Sequence, residues 1–182
     1  MASELNKMKG YALSHGLCGE YAAKWGGAGS KEELVRTALD ANGAGFLCEG
    51  CAAGWGLTPE YLLREFGPWV NGRYKADYGK YTTSLWVRCQ DEGVREMNID
   101  TTLTLLVDCR CTVHVPQGRI RRLYVAKGDV RVDCDGILLL SVYGDGAKVS
   151  VTGDGRCVRR NISIPTDGSI LNVGERNNGR PR

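Results

Sequence analysis

Apolar residues in this chain follow two different periods. Up to about residue 70 they recur at helical spacing, and from about Ser84 they alternate every second position. Ser3 is placed to cap a helix over residues 4–15, with Leu5, Met8, Tyr11 and Ala12 on one face and Gly16 as the stop. A second short helix is predicted over residues 19–25. Ser30-Lys31-Glu32-Glu33 then reads as a capping box, in which the Ser30 hydroxyl takes the Glu33 amide and the Glu33 side chain reaches back. Leu34, Val35 and Ala38 give that helix its apolar face, and Asn42-Gly43 is expected to end it. Residues 44–57 are apolar and read as helix or loop. Thr58-Pro59 opens a further helix through Leu62 and Phe66 to Gly67-Pro68, with proline at its first position.

In the second half the alternating groups are Leu85/Val87/Cys89, Leu103/Leu105/Val107, Cys111/Val113/Val115, Leu123/Val125, Val130/Val132/Cys134, Leu138/Leu140/Val142 and Ala147/Val149/Val151. Turn sequences separate them: Pro116-Gln117-Gly118, Gly128-Asp129, Asp135-Gly136, Gly144-Asp145-Gly146 and Gly153-Asp154-Gly155. The expectation is an α+β chain, a small N-terminal helical region followed by a C-terminal stack of short β-strands. Two arrangements of the stack stay open, a solenoid and a compact antiparallel sandwich. The predicted divisions are a helical domain 1–70, a basic and aromatic connector 71–83, a β-strand domain 84–174 and a flexible tail 175–182. Ile137-Leu138-Leu139-Leu140 is apolar on both faces, so Ile137 and Leu139 are expected at an interface with the helices or with a second copy in a homodimer.

Composition changes this picture little. Of 182 residues 42% are hydrophobic and 25% charged, as in ordinary globular proteins. No apolar run is long enough to span a membrane, and the polar start does not resemble a signal peptide, so the cytoplasm of a bacterial host is the expected location. Eight cysteines are present, and those inside alternating runs read as reduced, small hydrophobes. Charge is more informative. Residues 1–109 carry 11 basic and 14 acidic side chains, and residues 110–182 carry 13 basic and 7 acidic, so the β-rich end is the basic end. That bias suits a polyanion or an acidic protein surface.

The candidate binding residues follow from that bias. In the connector Arg73, Lys75 and Lys80 interleave with Tyr74, Tyr78 and Tyr81, a pattern able to track a nucleic-acid backbone and stack on bases, or to form one packed face. On the stack, Arg119, Arg121, Arg122, Arg131, Arg156, Arg159 and Arg160 are expected to point outward as a basic face. His15-x-x-Cys18 with Cys48-x-x-Cys51 has zinc-like spacing but lacks knuckle turns, and buried small residues are the plainer reading, so no metal is expected. Gly26–Lys31 lacks the Gly-Lys-Ser/Thr order of a phosphate loop, and the Gly-Asp-Gly turns lack a calcium-binding repeat. The two histidines, His15 and His114, lie far apart, and no nucleophile has an evident base. Neither a catalytic site nor a cofactor is expected.

His15-Gly16-Leu17-Cys18 after a first helix, Ser30-Lys31-Glu32-Glu33-Leu34 opening the next, and Gly/Asp-punctuated strands to about Ser163 resemble small proteins carried by phages and mobile elements of gut bacteria. In size and make-up the chain looks like a type II anti-CRISPR protein. The resemblance implies an inhibitor of host defence that binds Cas9 or its guide complex. The basic half suits either one that also contacts double-stranded DNA or one that grips Cas9 away from its nucleic-acid channel. Such a protein needs no active site. Because the Cas9 nucleic-acid channel is positively charged, the basic half argues against simple DNA mimicry. The rival expectations are a nucleic-acid-binding accessory protein, a sponge for a signalling nucleotide and a structural virion component.

Overall fold

The computed structural model describes Gly10, Ser14 and residues 19–164 except Ala41. The rest of the expected first helix over residues 4–15, with His15, Cys18 and the tail 175–182, lies outside the described residues. From Gly19 on, the described residues form four α-helices first: α1 (Gly19–Gly27), α2 (Lys31–Ala38), α3 (Gly43–Ala53) and α4 (Pro59–Phe66). Ten strands follow: β1 (Ala76–Asp77), β2 (Thr82–Val87), β3 (Glu96–Asn98), β4 (Leu103–Val107), β5 (Cys109–Val115), β6 (Ile120–Val125), β7 (Gly128–Cys134), β8 (Ile137–Tyr143), β9 (Ala147–Thr152) and β10 (Arg156–Ile162).

The caps explain where the helices start. Ser30 Oγ accepts from Glu33 N–H at 3.2 Å, as the capping box requires. The return half of the box differs, because Glu33 Oε2 accepts from Gly29 N–H at 2.6 Å, one residue earlier than expected. Thr58 Oγ1 accepts from Tyr61 N–H at 3.2 Å, and Pro59 occupies the first turn of α4. Asn42-Gly43 opens α3 instead of merely ending α2. Asp40 Oδ1 takes the amides of Asn42 (3.0 Å) and Gly43 (2.8 Å), turning the chain directly into the next helix. A Cβ at Gly43 would lie 2.3 Å from the Thr37 carbonyl oxygen, so the α2–α3 corner closes only with glycine.

The strands form a parallel two-sheet solenoid, which excludes the antiparallel sandwich. One sheet runs β1-β2-β4-β6-β8-β10 and the other β3-β5-β7-β9. All pairs are parallel except the β1–β2 hairpin. Successive rungs align Thr83 with Leu103, Leu103 with Arg122, Ile120 with Ile137 and Ile137 with Arg156. The second sheet aligns Cys109 with Gly128 and Gly128 with Ala147. One turn of the solenoid therefore spans two of the alternating groups read from the sequence. Corners of neighbouring rungs touch closely. At Gly128, which has φ +114, a Cβ would lie 2.1 Å from the Cys109 carbonyl oxygen.

Two cores share the six-stranded sheet. Between the sheets, Leu106, Leu123, Val125, Leu138, Leu140 and Val142 face Val113, Val115, Val130, Val132 and Cys134. On the other side, Leu85, Val87, Leu103, Leu105 and Val107 pack under Leu34, Leu39, Leu47, Leu62 and Phe66 of the helical region. The expected inward group Leu103/Leu105/Val107 thus faces the helices, and Leu106 enters the inter-sheet core. All five residues of β4 are buried because that strand is covered twice. The expected connector is not a packed helical face. It contains β1 and the start of β2, and Tyr78 and Tyr81 stack at 5.4 Å between ring centroids.

Candidate functional site

Among the described residues, helix cover does not extend along the whole six-stranded sheet. α4 packs on β2, while α3 reaches β4, β6 and the far part of β8. Tyr143 at that end is buried, whereas Ile137 at the start of β8 is 40% exposed and Leu139 only half-buried. Cover of Ile137 and Leu139 by the helices, one of the two covers expected, is therefore absent among the described residues, although Leu138 and Leu140 on the opposite face are fully buried.

The uncovered region has a regular make-up. Ile120, Arg122 and Tyr124 alternate on β6, and register places Arg122 beside Leu139 and Leu139 beside Val158. Ile120 stands beside Ile137, and Ile137 beside Arg156. Tyr124 and Arg160 flank Ser141. Ile120 (53%) and Val158 (43%) join Ile137 as the large hydrophobic side chains that remain exposed among the described residues. Burial pushes the Tyr124 phenol up, and the nearby Arg122 and Arg160 guanidiniums partly offset this, so both cations lie close to that ring. Among the described residues Arg122, Arg156 and Arg160 form no ion pair. Ile120, Ile137, Leu139 and Val158 thus share a face with Tyr124 and with three arginines that have no ion pair among the described residues.

The other predicted arginines do not join it. Arg131 projects from the opposite surface, where it aligns with Thr112 and Ser150 of the four-stranded sheet. Arg119 is exposed in the turn before β6. Arg121 and Arg159 lie on the other face of their strands, because register sets them beside Leu138 and Leu140, whose side chains fill the inter-sheet core. Arg121 is half-buried there, whereas Arg159 stays exposed at the end of the stack. Arg121 donates to the Thr101 carbonyl at 3.3 Å, and its Nε is buried without a partner. Arg159 reaches across the last rung to the Val149 carbonyl at 2.9 Å and to Asn161 Oδ1 at 3.0 Å, closing the end of the sandwich. One basic face of seven is thereby reduced to a triad.

The connector residues have structural partners. Arg73 grips Glu92 through two 2.9 Å bonds, Lys75 pairs with Asp100, and the Tyr78 hydroxyl donates to the Arg36 carbonyl. Lys80 is exposed with no ion pair among the described residues. Cys48 and Cys51 are buried in α3, and burial pushes both thiols up, Cys51 to about 12. His15 and Cys18, the other half of the zinc-like set, lie outside the described residues, and no metal-holding group of three occurs among those described. His114 points outward as anticipated, 3.3 Å from Asp133 and 3.7 Å from Glu96.

Sequence reading missed Ile120, Tyr124 and Val158, because alternation locates two faces but not how far the helices extend over one of them. It also missed that Cys89 and Cys109 each follow a corner of adjacent rungs. The signal was present in Val87-Arg88-Cys89 and Val107-Asp108-Cys109, one rung apart.

The comparisons with known proteins assign no family. No family model matches the chain, and neither a curated protein nor a solved structure does so significantly. Among the described residues no helix is long and apolar enough to cross a membrane.

Proposed function

We propose that this chain is a non-enzymatic binding protein that docks an acidic protein surface on the uncovered face of β6, β8 and β10. The carrying observation is the registered set of Ile120, Ile137 and Val158 with Arg122, Arg156 and Arg160. Exposed aliphatic groups supply apolar area, and unpaired arginines supply charge and bidentate recognition of carboxylates. Aliphatic carbon dominates the exposed apolar part, whereas a single-stranded nucleic-acid platform relies on aromatic stacking. Self-association through this face would oppose like charges, so a second copy fits less well than an acidic partner.

Inhibition of Cas9 is the specific form of this reading that the resemblance suggests. A cationic face suits a protein that grips an acidic region of its target away from the positively charged channel. The test is Cas9 cleavage of a matched DNA target with the protein in molar excess, alongside a gel shift of that duplex without Cas9. The specific form predicts blocked cleavage and no shift by the protein alone. Undiminished cleavage removes Cas9 as the target. A strong, salt-sensitive shift overturns the protein-docking reading in favour of nucleic acid.

A further inference from the structure

At the corner where the six-stranded sheet passes into the second sheet, two rungs repeat the same three-residue pattern. Val87 pairs with Val107 in register. Arg88 and Asp108 follow, both in left-handed backbone (φ 45 and φ 54). Cys89 and Cys109 come next, both completely buried and both in the inter-sheet core. Beyond the corners the two segments differ, since Cys89 opens a short 3-10 turn (Cys89–Glu92) and Cys109 opens β5. Arg88 N–H nevertheless donates to the Val107 carbonyl at 3.0 Å and holds the corners together. At Val87 and Val107, two residues before the cysteines, the paired strands lie about 4.7–4.9 Å apart, a spacing inside the about 4.4–6.8 Å between Cα atoms that a disulfide accepts.

Hydrogen bonds tie the two rungs together here independently of the thiols. The Gln90 side chain accepts from Arg110 N–H at 2.9 Å and donates to the Asp108 carbonyl at 3.0 Å. Cys89 Sγ lies 3.9 Å from the same Gln90 oxygen. Cys109 Sγ donates to the Trp86 carbonyl of the preceding rung at 3.5 Å. Cys111, two residues along β5 and on the same face, also contacts Cys89. The Cys109 and Cys111 thiols lie against Cys89, which lowers its pKa and raises theirs, so Cys89 is the acidic member.

We propose that Cys89 and Cys109 are a rung-to-rung thiol pair that a hydroperoxide converts into a disulfide, stapling the helix-bearing rung of β2 to the rest of the solenoid. The Cys89 thiolate attacks one peroxide oxygen, forming an S–O bond as the O–O bond breaks, and the leaving alkoxide or hydroxide takes up a proton. The Cys109 sulfur, losing its proton, then attacks the Cys89 sulfenic acid, forming the S–S bond and expelling water. With hydrogen peroxide the balance is two thiols and one peroxide giving one disulfide and two waters. The small oxidant matters, since the sulfurs lie beneath the half-buried corner formed by Arg88 and Gln90. Cys111 competes for the same sulfenic acid, while Cys109 and Cys111 share one strand face and do not bond each other readily.

The experiment treats the full chain with hydrogen peroxide under native conditions, blocks the remaining thiols, and maps peptides without reduction. The expected result is loss of two hydrogens per chain, a linked Cys89–Cys109 peptide, and an unfolding midpoint raised by roughly 6–12 °C. Cys109→Ala should divert the link to Cys111, and Cys89→Ala should abolish linkage of both. Wild-type peptide mapping alone overturns the proposal if Cys89 stays a thiol, is oxidised only to sulfinic acid, or if the linked peptides join other cysteines.

Discussion

Arg88 and Asp108 stand on equivalent corners of adjacent rungs, each in left-handed backbone, and their side chains meet at 2.7 Å. A second branch of the Arg88 guanidinium reaches Glu60 in α4 at 2.5 Å, so one side chain ties the helical layer to two rungs. Neither corner residue is glycine, which gives each a conformational cost of about 1 kcal/mol or more. Arg88→Ala should lower stability by about 1–2 kcal/mol, since the pair is only partly exposed and bridges two layers. Asp108→Gly should cost less, because it loses the ion pair but relieves the left-handed backbone. Denaturant titration of both variants checks the order, and an equal or larger loss for Asp108→Gly would contradict this view of the corner.

Rung stacking predicts a sharp contrast between two glycines with similar backbone angles. Gly128 has φ +114 and no room for a methyl group beside the Cys109 carbonyl, whereas Gly118 has φ +110 and nothing within 4 Å. Gly118→Ala should cost about 1 kcal/mol from backbone strain alone. Gly128→Ala adds a backbone collision and should cost at least about 3 kcal/mol. Thermal melts of the two variants provide the measurement.

The limit of helix cover predicts unequal losses within one sheet face. Leu105 lies fully buried under the helices, and Leu105→Ala should cost about 2–5 kcal/mol. Ile137, on the same face two strands away, is already 40% exposed, so Ile137→Ala should cost under about 1.5 kcal/mol. Comparable losses would mean that Ile137 is covered in solution.

Acid should weaken the fold through three carboxylates. Arg73, then Asn71, holds Glu92 below its ordinary value. Lys31, then Arg64, does the same for Glu65, and for Glu60 its own backbone amide acts first and Arg88 second. Each folded carboxyl has a lowered pKa, so the unfolded chain binds more protons in the interval below the ordinary value of 4.5. Their stabilisation is therefore complete above that value and is lost as pH falls through the lowered values. The combined variant Glu60→Gln, Glu65→Gln, Glu92→Gln should flatten the acid limb of a melting-temperature profile. High salt should flatten it as well, most through the exposed Glu60 and least through Glu65, whose side chain is 11% exposed.

Much of the fold could be read directly from the residues. Alternation located most strands, Thr58-Pro59 and Ser30 marked helix starts, and the change of period after Thr83 separated the helical layer from the stack. The parallel solenoid was less legible, since Gly-Asp and Asp-Gly corners serve hairpins as readily as rungs. What distinguishes them is register, for instance Cys109 against Gly128, which two-residue periodicity does not reveal. The site was legible only as composition. Arg122, Arg156 and Arg160 share a face through pairing across three strands, while Arg121 and Arg159, adjacent in sequence to two of them, turn to the other side by the same alternation.

The central claim is that the uncovered sheet face, and not positive charge in general, binds the partner. Its most direct test is quantitative affinity capture from bacterial lysate at physiological salt. The wild-type chain is compared with Arg122→Glu/Arg156→Glu/Arg160→Glu and with Arg131→Glu, which reverses a charge on the opposite sheet. The account predicts an acidic protein retained by wild type and by Arg131→Glu but lost by at least tenfold from the triple variant, whose melting temperature stays near wild type. Equal capture by all three, or equal loss from Arg131→Glu, would contradict it.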